Sequence, residues 1–353
     1  MRDILIKAIK RQCLSQIPVD FALCDSQIKD FNNRFGHDDY KAFFGVSHRS
    51  VTIDVDKTYI NCNDLYPREI LSLDIEFDEW GIGHSKGSEL AFHMTRMHHP
   101  LKGADLTEIQ NYPAPEIKSS ALDKLKNEVL DIHKHNLAAS GFMQMTIWET
   151  SWYLRSMEEF MIDMMMEDEK ATILLDKVCE LACTKASIYS ESGVDIIELG
   201  DDIGTQSSEM MDLSLWQQWI QPRLKKVIDA ARAVNPEIII FYHSCGYITS
   251  FIDGLIKSGI DILNPIQPEC MDFNEIYDKY GDRISFWGTI GTQQLLPYGT
   301  AEEVYETTIE RLEKCKGTGI IIGPTHVVEP EVPWDNLLAL KSAVEDFQTK
   351  NLQ

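Results

Sequence analysis

Five short runs decide the fold: VDIIELG at 194–200, EIIIFYH at 237–243, IDILNPI at 260–266, RISFWGTI at 283–290 and GIIIGPTH at 319–326. Each is rich in β-branched residues and carries little internal charge, the pattern of a strand covered on both faces. Helical patterns separate them: LSLWQQWIQPRLKKVIDAARAV, then YITSFIDGLIKS closed by Gly259, then MDFNEIYDKY closed by Gly281. Thr300 with Glu303 forms a capping box at the start of the last one, AEEVYETTIERLEKCK. Strands and helices in strict alternation imply a parallel sheet faced by helices. A doubly wound open sheet shares this pattern, but a repeat of roughly 25 to 40 residues and the lack of a Gly-rich phosphate turn favour closure. The sequence therefore predicts an α/β chain folded as a single (β/α)8 (TIM) barrel over 1–353, with N-terminal strands and an excursion in 1–140 and regular βα units in 141–353.

Working outward, IPVDFAL (17–23) and GFMQMTI (141–147) read as further strands. Positions 49–82 mix short β-like runs with DEWG, and 84–116, ending in NYPAPE, reads as a loop-bearing excursion. The opening MRDILIKAIKRQCLSQ alternates apolar and basic residues like an amphipathic helix and lacks the continuous apolar stretch of an export signal. No segment reaches the roughly 18 apolar residues of a membrane span. Eight dispersed cysteines in such a chain point to reduced thiols and a cytoplasmic setting. Cys179 and Cys183, four apart in a helical run, read as a buried apolar pair. Lys and Arg total 33 against 56 Asp and Glu, a net charge of -23 spread along the chain, which argues against nucleic acid as a partner.

In a barrel the reactive groups gather at the carboxyl ends of the strands. Those ends here carry Glu198, Asp201 and Asp202, then His243 and Cys245, then Asn264 and Gln267, then Thr289, and last His326. In YHSCG (242–246), an extended chain puts residues i and i+2 on one face, so His243 and Cys245 point to one spot. An imidazole and a thiolate together suit zinc, and His326 at the end of the last strand is the natural third ligand. Three protein ligands leave one position open, as in catalytic zinc sites. Cys270 is a rival ligand, although its position suits a helix amino terminus better. Asp201 and Asp202 read equally well as helix caps or as groups that orient His243 or bind a polar substrate, and Gln267 joins them as a candidate catalytic residue. Trp148, Trp152 and Tyr153 with Met143, Met145 and Met157 either line an apolar pocket or pack the core.

The stretch from Glu198 to Asn336, with ELGDDIGTQ, HSCGYITSFIDGLIKSGIDILNPIQPE, FWGTIGTQQLLPYGT and IIGPTHVVEPEVPWDN, resembles the uroporphyrinogen decarboxylase superfamily, as do IPVDF, DEWG and YPAP. That resemblance implies a (β/α)8 barrel. True decarboxylases of the group are metal-free and carry an arginine-rich MRQAGR segment that holds the acidic porphyrinogen. Here the corresponding stretch is ALCDSQIKDF, without arginine. The other branch, corrinoid-dependent methyltransferases, binds zinc through an H-x-C motif and a distant cysteine. His243 and Cys245 match that motif, while the distant position holds His326, as in methoxy-compound demethylases more than thiol methyltransferases. The resemblance thus implies a zinc-dependent methyltransferase acting between a small methoxy or methylamine substrate and a corrinoid protein. Cobalamin would arrive on that partner, since the chain has no D-x-H-x-x-G signature. A porphyrinogen decarboxylase and a non-catalytic ligand-binding barrel are the alternatives, and a homodimer is compatible with either.

Overall fold

The apolar runs become neighbours in one parallel sheet, whose seven strands lie side by side in chain order. They are β1 (His48–Val51), β2 (Ala138–Gln144), β3 (Ile196–Gly200), β4 (Ile239–His243), β5 (Ile262–Asn264), β6 (Ser285–Trp287) and β7 (Ile320–Ile321). The computed structural model describes residues 1–12, 16–56, 61, 65–86 and 95–351; Cys13 and Cys62 lie outside the described residues. Val19 closes the ring, bridging Val46 on one side and Ile322 on the other, both in parallel. Asp20 N–H donates to the Ile322 carbonyl at 3.0 Å and Ile322 N–H to that of Pro18 at 3.2 Å. The segment expected as strand 17–23 thus takes the eighth place with isolated bridges at Val19 and Leu23 and no continuous ladder. The result is the expected TIM-barrel-like fold.

Helices cover the outside. The longest, α1 (Glu169–Ser192), follows β2 and packs on α2 (Gln221–Val234), which follows β3. The expected 22-residue run is broken, because Pro222 has no N–H to continue the preceding helix Leu213–Trp219 and instead sits in the first turn of α2. Gly259 closes the helix Ile252–Ser258 with φ 110°, as its place in the pattern requires. Gly281 ends Phe273–Tyr280 with φ -65°, so glycine's left-handed freedom is not used there. The Thr300–Glu303 capping box is formed at the start of Ala301–Lys314.

The amino-terminal helix Arg2–Ile9 plugs one end of the barrel. Its Leu5 and Ile9 pack with Ala138, Ile196, Ile239, Phe241, Ile262 and Ile321, and Arg2 meets Asp195 at 2.7 Å. The opposite, carboxyl end is where the chain leaves β1 for its excursion. There Ile75–Phe77, Gly83–Lys86 and Thr95–His98 form an antiparallel sheet, and Val55–Asp56 pairs with Glu116–Ile117. No helix of the described residues is long and apolar enough to cross a membrane.

β2 begins three residues before the expected run and stops at Gln144. Ala138, Ala139 and Ser140 have little intrinsic strand preference, yet the small Ala138 fits where the plugging helix presses on the barrel. Met145 adopts φ 59°, which ends the strand.

Candidate metal centre

His243 is the last residue of β4, and its ring orientation is fixed from the neighbouring strand. Its Nδ1 lies 2.6 Å from the Asn264 Oδ1. The Asn264 amide nitrogen donates to the Trp287 carbonyl at 2.7 Å, so its oxygen must be the acceptor and Nδ1 the donor. Nε2 is left with its lone pair turned toward Cys245, whose Sγ is 3.5 Å away. A nitrogen and a sulfur on one tetrahedral zinc, at about 2.0 and 2.3 Å, would be separated by about 3.5 Å. One ligand atom each from His243, Cys245 and His326 lies within 4.8 Å of the others. The donor set and spacing therefore fit zinc.

Cys245 is placed by a loop, not by the strand. The loops after β3 and β4 are joined along their length: Ile203 N–H donates to Ser244 Oγ at 3.1 Å, Cys245 N–H to Asp202 Oδ1 at 2.8 Å, and Tyr247 N–H to the Thr205 carbonyl at 2.8 Å. Such contact demands glycine. A Cβ on Gly246, already at φ 85°, would stand 2.6 Å from the Thr205 carbonyl oxygen, and one on Gly204 would stand 2.7 Å from that of Tyr247. Gly200 clears His243 itself, since a Cβ there would come within 2.7 Å of the histidine Cβ. His326 is exposed on the loop beyond β7, not at a strand end as expected. Gly323 and Pro324 interrupt that strand, leaving single bridges such as Ile290 with Pro324.

The remaining candidates divide. Asp202 Oδ1 stands 3.7 Å from His243 Nε2, while the ring is oriented by Asn264, not by an aspartate as one reading expected. Asp201 is fully buried and turned away, accepting the N–H groups of Ile147 at 3.1 Å and Glu149 at 2.9 Å in the first turn of the helix Trp148–Arg155. It caps that helix from the end of the neighbouring strand. Gln267 accepts the Gly246 N–H at 2.9 Å and reaches Gln206 at 3.4 Å, so it braces the Cys245 loop. Cys270 donates to Gln206 at 3.2 Å and is not part of the metal-binding group. Cys179 is buried, with its sulfur 3.9 Å from that of Cys183, the apolar pair expected.

Sequence reasoning missed Glu149. Its carboxyl accepts the Tyr153 hydroxyl at 2.6 Å and the Asp202 N–H at 3.0 Å. Burial, with Asp202 and Asp201 nearby, raises its pKa to about 8. Burial likewise raises Asp201 to about 7, against the pull of its backbone hydrogen bonds. Burial also pushes the Cys245 thiol well up, helped by Asp202 and Glu149. That thiol is a ligand only as thiolate, and a bound dication reverses the penalty.

One cavity contains this centre, and another shares none of its lining residues. The first, of about 560 Å³, is lined by Asp202, Gln206, Cys245, Gln267, His326 and their neighbours. The other, of about 410 Å³, lies between the end of β2 and the excursion, and Met143, Met145 and Tyr153 line it. Trp148 does not; it is buried in the core, against which Trp152 and Met157 also pack.

Comparison with known proteins bears on this geometry. Residues 95–347 match the family described as uroporphyrinogen decarboxylase (URO-D). A methylated-thiol–coenzyme M methyltransferase of Methanosarcina mazei is 26% identical over 185 residues, 51% of this chain and 46% of that protein. The chain thus matches about half the length of that methyltransferase. A uroporphyrinogen decarboxylase of Coxiella burnetii is 23% identical over 263 residues, 71% of this chain and 70% of the relative. Among solved structures, a methyltransferase from Methanosarcina mazei superposes with a TM-score of 0.69 over 98% of both chains at 17% identity, which shows the shared fold.

Proposed function

Since the chain belongs to the uroporphyrinogen decarboxylase (URO-D) family, we propose that it works as a zinc-dependent methyltransferase, moving a methyl group between a small methoxy- or methylamine-type molecule and the cobalamin of a separate corrinoid protein. The observation that carries this reading is the convergence of His243, Cys245 and His326 at ligand spacing on the carboxyl face of the barrel. The partial identity to a methylated-thiol methyltransferase supports it. Zinc held by these three residues supplies Lewis acidity to the heteroatom that bears or receives the methyl group.

The chain's own residues prepare that position. Asn264 holds the His243 Nδ1–H so that Nε2 is the ligand atom. Asp202 and Gln267 fasten the loop that carries Cys245, through the Cys245 and Gly246 N–H groups. Asp201 secures the helix Trp148–Arg155 that presents Glu149. In this reading Asp201, Asp202 and Gln267 are positioning residues. Porphyrinogen decarboxylation is disfavoured because residues 22–31, ALCDSQIKDF, offer no arginine to a polycarboxylate.

Elemental analysis of purified protein tests the reading. The native chain is expected to hold about one zinc, and His243→Ala and Cys245→Ala are each expected to lose most of it. Full zinc in both variants would show the ligands to be elsewhere. Loss of reduced-cobalamin absorbance on adding a methyl donor, dependent on both residues, tests the transfer.

A further inference from the structure

The metal centre makes no use of two motifs in the excursion, DEWG at 78–81 and the YPAP that follows Asn111. The fold brings them together. The Asp78 carboxylate accepts the Trp80 and Ile82 N–H groups at 2.9 Å each, the Tyr112 hydroxyl donates to the Trp80 carbonyl at 2.5 Å, and the Tyr66 hydroxyl to that of Gly81 at 2.7 Å. A loop tied at this many points holds its tryptophan still, so a ligand meets a surface already in place. Trp80 and Ile82 both line the 410 Å³ cavity.

The end of β2 supplies a second part of the lining. Phe142 and Met145 border the cavity and keep 38% and 43% of their surface exposed. Met145 is held there at a backbone cost, with φ 59° in a residue that is not glycine. The Thr146 and Thr150 hydroxyls fix that turn by donating to the Met143 and Met145 carbonyls at 2.9 and 2.5 Å. Val178, Leu181, Ala182, Lys185 and Tyr189, spaced along one face of α1, complete this side.

Rings and thioethers therefore gather round the space: Trp80, Phe142, Tyr153 and Tyr189 with Met143 and Met145. Such groups gain more from a π system than from an alkane. The charged side chains of the described lining are already paired: Asp54 with Lys118 at 3.2 Å, Asp78 with the His84 ring at 3.4 Å, and Glu79 with Lys185 at 3.1 Å. A charged ligand would have to break one of these pairs or lose its hydration, while a neutral one disturbs none. An apolar cavity of about 150 Å³ accepts benzene, so about 410 Å³ holds one ring with small substituents.

We propose that this cavity is a binding site for an uncharged aromatic compound of one ring with small substituents. It shares no lining residue with the cleft that reaches Cys245 and His326, and the inference does not rest on the zinc reading.

Four probes with a common body test it: 4-ethylphenol, 4-ethylcyclohexanol, 4-ethylbenzoate and 4-ethylbenzylamine. Each is titrated into the full chain carrying isotope-labelled methionine methyl groups, with the Met143 and Met145 signals assigned from Met143→Leu and Met145→Leu. 4-Ethylphenol is expected to move both signals saturably by ring-current shifts, with a Kd about tenfold or more below those of the other three. Ala182→Phe fills the space, and Met145→Asn keeps a left-handed turn that asparagine tolerates while removing the thioether. Each is expected to weaken 4-ethylphenol about tenfold, with zinc content as in the native chain. The methyl shifts on native protein locate the site even where a variant folds poorly. Two unmoved methyl signals at saturation, no binding by any probe, or a saturated or charged probe that binds as tightly as the phenol overturns the proposal.

Discussion

Asn264→Ala removes no metal ligand, yet the structure assigns it a measurable effect on zinc affinity. The side chain makes two hydrogen bonds of different consequence: it accepts from His243 Nδ1 at 2.6 Å and donates to the Trp287 carbonyl at 2.7 Å. Loss of the first frees the imidazole to rotate and to place its proton on Nε2, the atom that should bind metal. Outer hydrogen bonds of this kind are worth about 10- to 100-fold in metal affinity, or about 1.4 to 2.7 kcal/mol. Loss of the second leaves a buried carbonyl unpaired, at about 1–3 kcal/mol, but it does so with or without metal and cancels from the affinity. Asn264→Asp separates the two. A carboxylate still accepts the Nδ1–H, more strongly than an amide does, but cannot donate to Trp287. Chelator competition is therefore expected to show weakened zinc binding in the alanine variant alone, while thermal unfolding of the metal-free proteins shows both variants destabilised. Zinc affinity within twofold of native in Asn264→Ala, or an equal loss in Asn264→Asp, would refute the role given to Asn264.

Other outcomes follow from the same contacts. Gly200→Ala places a methyl group 2.7 Å from the His243 Cβ and 2.8 Å from its carbonyl oxygen; a stability loss of about 1–3 kcal/mol is expected together with weaker zinc binding, read by melting and chelator competition. Glu149 and Asp201 hold protons in the folded chain, with pKa values near 8 and 7 against 4.5 and 3.8 in the unfolded one. The native state then binds more protons across that window, so the stability of metal-free protein falls as pH rises from about 4 to about 8. Glu149→Gln should make the decline shallower in urea titrations, and parallel curves for the two proteins would contradict the assignment. Thr300→Ala breaks the capping box, whose hydrogen bonds involve no metal-binding residue; a loss of about 1 kcal/mol with unchanged zinc affinity is expected, which makes it the control for purely structural damage.

What could be read in the chain depended on how local the cause was. β3 and β4 were legible because burial on both faces writes itself as Ile-rich runs, and the Thr300–Glu303 cap because its two halves are three residues apart. Ala138–Ser140 escaped notice because such small residues have little strand preference of their own: Ala138 packs under the helix Arg2–Ile9, and Ser140 is held by its pairing with Ser50 and Ile196. The H-x-C spacing pointed to a pair that the structure does bring together, but for an incomplete reason. Alternation in a strand would align the two side chains, whereas β4 ends at His243 and Cys245 is held by its N–H on Asp202.

The partners that tune the centre come from still farther away. Asn264 lies 21 residues beyond His243, and Glu149 reaches the Asp202 N–H across 53. Neither separation leaves a periodic signal, because each depends on which strands the closed barrel makes adjacent: β4 beside β5, and β2 beside β3. A polar residue at the end of a barrel strand is therefore better read against the ends of the two flanking strands than against its own sequence neighbours. On that basis Asn264 could have been paired with His243, since the register sets the two directly opposite each other. Glu149 could not, because it lies five residues past the end of β2, and the turn through Met145 at φ 59° that brings it back has no counterpart in the hydrophobic pattern.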